Sequence, residues 1–152
     1  MDLLNQITRE ELEKLENALA LITVLIAGAD GKVDAKELSW AKKLAVIRSY
    51  FGPDELHPMY KDVANNLLEN VNRLLDELPG DVDRRTEELK KRLTELNPIL
   101  KKVDPLVGKH LYKSMRTFAK KVAKSSGGFL GVFSISAEEQ KLIGLDMLDP
   151  IE

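Results

Sequence analysis

Cysteine is missing from all 152 residues of the chain. Its absence excludes disulfide frameworks, zinc sites built on thiolates and catalysis by a cysteine nucleophile. Imidazole is scarce as well, because only His57 and His110 are present and neither lies in a recognisable catalytic motif. The sequence therefore offers no familiar pairing of a nucleophile with a base.

Long apolar runs are equally scarce. The longest covers residues 18–29 and is interrupted by Thr23 and Gly28, whereas a membrane-spanning helix needs about 20 apolar residues. The segment 1–14 carries more acidic than basic residues, although a secretory signal would be positively charged there. We therefore expect a soluble, cytoplasmic protein.

Aromatic residues make up only 5% of the chain, and charged residues make up 32%. That balance is typical of helical proteins, and a chain of this length can bury one compact core. Alternation of apolar and polar residues, which marks a strand, is missing except in the short stretch GVFSIS at 131–136. The expected fold class is all-α: a single domain over 1–152 with about six to seven helices.

Local patterns predict where these helices begin. Three pairs have the capping-box spacing, in which the side chain of a helix-start residue is followed three positions later by Glu. They are Thr8 with Glu11, Asp34 with Glu37, and Ser136 with Glu139. Asn97 and Asp104 each precede a proline and are predicted as caps.

Two further segments have predicted ends or loops. Apolar spacing predicts a helix from Pro105 to about Lys124, and SSGGFLGVF at 125–133 should end it. That run lacks the Lys-Ser/Thr of a phosphate-binding loop. Its apolar side chains are expected to pack on the core: Phe129, Leu130 and Phe133.

The segment AGADGKVDAKEL at 27–38 looks like the second half of a calcium-binding loop. In an EF-hand, however, the first and third ligand positions would fall on Ile26 and Gly28, which offer no side-chain oxygen. The segment is therefore not an EF-hand. Gly31 instead fits a tight turn between two helices, where a positive φ is needed.

Two short motifs, ADGKVDAKEL at 29–38 and SISAEEQKLI at 134–143, resemble the TerB-like family. The middle of the chain, 54–125, contributes little to the resemblance. The resemblance implies a compact helical domain without demonstrated enzymatic activity. It also implies a link to tellurite resistance and the response to chemical stress.

The same resemblance implies a divalent cation held by acidic residues at two helix starts. The matching carboxylates are Asp30, Asp34, Glu37, Glu138 and Glu139. Ser136 stands where the first motif has Asp34, which removes one carboxylate from the set. Because several of these side chains are also expected to cap helices, we predict millimolar affinity at best unless the two helix starts converge in space. No other cofactor is expected.

Positive charge is concentrated in residues 99–125, which carry eight Lys or Arg side chains and one acid, Asp104. Five of them recur at spacings of three and four in the helix predicted from Pro105 and so share one face. This basic stripe consists of Lys109, Lys113, Arg116, Lys120 and Lys124. It is suited to a protein partner or an anionic membrane surface, or it is a solvated face. Nucleic acid is unfavourable because the net charge is −2 and no aromatic residues interleave.

These features leave three functions open. The preferred one is a non-enzymatic binding or scaffolding domain of TerB-like type. A metal-dependent hydrolase using the acidic cluster is the second. The third is an adaptor that binds an anionic surface through the basic helix 105–124.

Overall fold

The computed structural model describes residues 3–125 and 137–151. Within them the α-helices are α1 (Arg9–Ala27), α2 (Ala35–Arg48), α3 (His57–Glu77), α4 (Val82–Thr94), α5 (Asn97–Lys102), α6 (Pro105–Ser125) and α7 (Ala137–Gln140). Short 3-10 turns cover Leu3–Asn5 and Asp54–Leu56. No strand occurs in the described part, so the all-α prediction is confirmed. The predictions for GVFSIS, Phe129, Leu130, Phe133 and Ser136 fall outside the described residues.

Helix α1 is the central element of the domain. Thr8 Oγ1 accepts from the Glu11 amide at 3.1 Å, and Glu11 Oε1 accepts from the Thr8 amide at 2.9 Å, as the capping box predicts. Every residue from Ala18 to Ala27 is buried. Because that half of the helix is apolar on all sides, it can be surrounded, and α1 packs against α2, α3, α4 and α6.

The end of α1 is closed by a buried cation from α4. Arg85 is only 7% exposed, and its Nη2 donates to the Gly28 carbonyl at 2.8 Å. A positive charge is favourable there because the last carbonyls of a helix carry partial negative charge. The approach requires glycine, since a Cβ at residue 28 would lie 2.7 Å from Arg85 Nη2.

The turn to α2 forms as the sequence predicts. Gly31 has a φ of +104°, and Asp34 Oδ1 accepts from the amides of Lys36 at 2.8 Å and Glu37 at 3.1 Å. Helix α2 then packs on α3 and α6. Its buried apolar residues are Ala41, Leu44 and Ala45.

The C-terminal predictions need two corrections. Asn97 lies inside α5 and does not cap it. Its side chain holds the C-terminal segment instead: Nδ2 donates to the Met147 carbonyl at 3.0 Å, and Oδ1 accepts from the Asp149 amide at 2.8 Å. The pair Ser136 and Glu139 also predicts a short last helix that carries Leu142, Leu145 and Leu148 to the end of the chain. That helix stops at Gln140 instead.

Turns replace the missing part of that last helix, yet its apolar residues still reach the core. The amide of Leu145 donates to the Leu142 carbonyl, and that of Leu148 to the Leu145 carbonyl. All three leucines are buried. Among the described helices none is long and apolar enough to cross a membrane.

Candidate functional site

Two acidic residues of the predicted cation site, Asp30 and Asp34, are engaged in local structure. Asp34 caps α2 as described, and Asp30 Oδ1 accepts from the Lys32 amide at 3.2 Å within the turn. Oxygens committed to backbone amides are poor candidates for a metal, because a cation would have to displace those hydrogen bonds.

The remaining carboxylates of that set differ widely in exposure. Glu37 is 2% exposed and Glu139 5% exposed, whereas Glu138 faces solvent. Over residues 3–125 and 137–151, no group of three or more His, Asp or Glu side chains could hold a metal ion. The cation site stays a prediction, and the described geometry gives it no support.

The basic stripe lies on the exposed side of α6. All five of its residues are exposed, and none forms an ion pair with a carboxylate in the described part of the chain. Arg116 is held locally, since its Nε donates to the Gly144 carbonyl at 3.1 Å and its guanidinium lies 5.3 Å from the Tyr112 ring centroid. Lys113 differs from the others because it lines a cleft.

This cleft, of about 320 Å³, lies where the end of α2 meets α3 and α6. We call it the Arg48 cleft, after the cation at its wall. It is lined by Arg48, Phe51, Gly52, Pro53, Leu56, Tyr60, His110, Lys113, Ser114 and Thr117.

Arg48 joins the three helices that form the cleft. Its Nη1 donates to the Ser114 carbonyl at 2.6 Å and lies 3.1 Å from the hydroxyls of Ser114 and Tyr60, while Nη2 donates to Thr117 Oγ1 at 2.8 Å. The hydroxyls of Tyr60 and Ser114 are also hydrogen-bonded to each other. The guanidinium lies 5.6 Å from the Tyr60 ring centroid and 5.7 Å from that of Phe118, within cation–π range.

The charge of Arg48 has no carboxylate partner in the described residues. A half-buried cation held only by neutral groups leaves net positive potential in the cleft, and the ammonium group of Lys113 adds to it. The combination of a guanidinium, an ammonium and hydroxyl donors is typical of sites for phosphate and carboxylate groups.

One carboxylate lies beside the cleft, but it is already paired. Glu55 Oε1 is 2.5 Å from His110 Nδ1. Burial raises the pKa of Glu55, but the hydrogen bond with His110, a backbone hydrogen bond and the charge of His110 outweigh it, so that pKa lies below its ordinary value. Glu55 is therefore ionised at neutral pH, and in the described residues its carboxylate is bonded to His110 and forms no ion pair with Arg48.

Sequence patterns alone missed most of this site. From α6 come His110, Lys113, Ser114 and Thr117, whose spacing of three, four and seven places them on one helical face. The only sequence pattern that could have indicated the site was this polar row on α6, between its apolar face and its basic face. Arg48 gave no such signal, because a basic residue in the last turn of a helix is already explained by its favourable interaction with the partial negative charge of the helix end.

A second, polar cleft lies between α1 and α3. Burial and the neighbouring Asp62 raise the pKa of Glu16 to about 8. Glu16 and Asp62 both line this cleft, together with Arg9, Asn17 and Arg73. Perturbed carboxyls are common at functional sites, but like-charge neighbours also produce them in purely structural settings.

Comparison of the chain with protein-family models, curated proteins and solved structures yields no match. The TerB-like resemblance therefore stays a prediction.

Proposed function

We propose that this chain is a non-enzymatic binding domain that holds an anionic group of phosphate type in the Arg48 cleft. The observation that carries the proposal is the guanidinium of Arg48, half-buried and without a carboxylate partner among the described residues. Of the three functions open from the sequence, it is nearest to the adaptor that binds an anionic surface through the basic helix 105–124. That helix contributes Lys113 to the cleft, whereas Arg48 comes from α2.

The cleft supplies the donors that such a group needs. Arg48 already has its two Nη atoms oriented by Ser114 and Thr117, so little conformational freedom is lost when it binds an anion. Lys113 is exposed at the same cleft and can turn towards the anion as a second charge. Tyr60 and Ser114 add hydroxyls that can donate when an acceptor is present.

Titration calorimetry with inorganic phosphate at low salt tests this proposal. Arg48→Gln should weaken binding about tenfold or more, the usual effect of losing a charge-assisted hydrogen bond. Lys113→Gln should weaken it by a smaller factor, because its ammonium is exposed. Higher salt should weaken binding to the wild-type protein.

Lys124→Gln is the matched control, since it removes the same charge from the same helix at a position that does not line the cleft. It should leave phosphate affinity unchanged. Arg48 joins three helices, so its variant must first be shown to fold; if it does not, Lys113→Gln decides. No binding to the wild type, or equal losses in Lys113→Gln and Lys124→Gln, would contradict the proposal.

We further propose, from the resemblance, that the domain is a cytoplasmic scaffold of TerB-like type with a role in tellurite resistance. Deleting its gene should then increase sensitivity to tellurite, and unchanged growth would count against that role. A protein partner or an anionic membrane surface remains the expected ligand of the basic stripe. No specific observation favours the metal-dependent hydrolase, because the predicted acidic residues are not gathered into a cation-holding group in the described part of the chain.

A further inference from the structure

Helix α2 carries apolar residues on the side that faces away from the core. Trp40 is 37% exposed, Ile47 42% and Phe51 70%. The amide of Phe51 donates to the Ile47 carbonyl at 3.0 Å, so the helical turn continues past the end of α2. The buried apolar residues of α2 are Ala41, Leu44 and Ala45, so these exposed residues lie outside the core.

Lysines alternate with these apolar residues along the same face. Spacings of four, three, four and four place five exposed residues in one row. This outer stripe consists of Lys36, Trp40, Lys43, Ile47 and Phe51. Neither lysine forms an ion pair within the residues that the structure describes. The one acid of α2, Glu37, is buried, so the exposed face of the helix is positive and apolar at once.

The outer stripe is continuous with the Arg48 cleft. Phe51 belongs to the stripe and also lines the cleft. Tyr50, next to it, is 74% exposed. One exposed aromatic side chain, Phe51, therefore lines the cationic cleft, and a second, Tyr50, adjoins it in the chain.

We propose that this face docks on an anionic phospholipid bilayer, with a headgroup phosphate in the Arg48 cleft and the outer stripe lying along the surface. The inference rests on the proposed function and names the source of the anion. Aromatic rings and lysines with long aliphatic stems are the side chains that stabilise helices at a membrane interface. A phospholipid also accounts for the position of the cleft next to the stripe. Its phosphate and its acyl chains belong to one molecule, so both can be bound at the same time by a cationic cleft and an adjoining apolar surface.

Trp40 is the only tryptophan of the chain and lies on the proposed face, so its fluorescence reports docking directly. Vesicles of phosphatidylcholine with phosphatidylserine should shift its emission to the blue and sediment the protein. Vesicles of phosphatidylcholine alone should do neither. Brominated acyl chains should quench the emission only in the anionic vesicles.

The variant Ile47→Ser with Tyr50→Ser removes apolar area without touching the lining of the Arg48 cleft. It should weaken vesicle binding about tenfold or more, since each side chain contributes through its buried area. Its affinity for inorganic phosphate should stay that of the wild type. Leu106→Ser is the matched control, because Leu106 is 60% exposed on α6 and outside the stripe. It should bind vesicles normally.

The outcomes separate the two proposals. If phosphate binds in the cleft but anionic vesicles neither shift Trp40 emission nor sediment the protein, the membrane inference is overturned and the binding function stands. If vesicles bind and Arg48→Gln and Lys113→Gln bind both vesicles and phosphate normally, the cleft proposal fails. A wild-type dimer that the Ile47→Ser, Tyr50→Ser variant converts to a monomer would assign the face to a second copy of the chain and overturn docking on lipid.

Discussion

Glu16 shows how a single residue can couple the stability of this protein to pH. Its side chain is half-buried in α1, and burial followed by the contact with Asp62 raises its pKa from 4.5 to about 8. Glu13 adds to the rise and Arg9 opposes it. Because the raised value belongs to the folded state, Glu16 still holds a proton at pH values where the unfolded chain has lost it.

Folding should therefore become less favourable as pH increases through this range. The contribution of Glu16 is fully present below about pH 4.5 and is lost as pH rises through about 8. Glu16→Gln mimics the protonated carboxyl, so it should flatten the loss of stability over that range. Urea unfolding of both proteins at several pH values measures the effect.

An exposed acid on the same helix supplies the control for that experiment. Glu10→Gln removes one negative charge from α1 without removing a half-buried carboxyl. It should keep the wild-type pH profile. A Glu16→Gln variant whose profile also matched the wild type would show that Glu16 titrates alike in folded and unfolded chains.

At the scale of the helices, the contact of α4 with the end of α1 depends on a glycine. Gly28→Ala should lower the free energy of unfolding by about 1–3 kcal/mol, since its Cβ would displace the guanidinium of Arg85 from the Gly28 carbonyl. The same substitution beside Arg85→Met should cost less, because the displaced group is gone. Denaturant unfolding of the four proteins gives the coupling free energy.

Comparison of these four proteins also separates the two possible causes of the lost stability. A new Cβ would lie 2.8 Å from the Val24 carbonyl in either background, so this strain cancels in the comparison. If Gly28→Ala lowers the free energy of unfolding equally with and without Arg85, the whole loss comes from strain at the end of α1 and none comes from the contact with α4.

For the molecule as a whole, the basic stripe should be dispensable for folding. Lys113, Arg116 and Lys120 are exposed on α6, whereas its buried row contains Leu111, Met115, Phe118 and Val122. Reversing the three charges to Glu should therefore keep the far-ultraviolet circular dichroism spectrum helical. Loss of the helical spectrum would mean that this face is packed in the folded protein.

Local sequence patterns account for most of the helices, because caps and periodic apolar residues act within a few positions of each other. The box at Thr8, the cap at Asp34 and the turn at Gly31 are confirmed for that reason. Asn97 fails as a cap because a distant partner, the C-terminal segment, takes its side chain. The last helix is shorter than predicted, although its leucines reach the core through turns.

Packing of distant segments, in contrast, creates the candidate site. Arg48 meets Ser114 and Thr117 across 66 and 69 positions of the chain, and no local pattern relates residues that far apart. Tertiary packing also explains why the outer stripe of α2 is exposed. A helix with apolar residues on two sides can bury only the side that neighbouring helices cover. Composition and periodicity were sufficient to predict an all-α domain and an exposed basic stripe, since both depend on short-range spacing. Only the packing of α2, α3 and α6 decided where Arg48 lies, the cation without a carboxylate partner in the described residues. The same packing left the apolar side chains of the outer stripe exposed beside it.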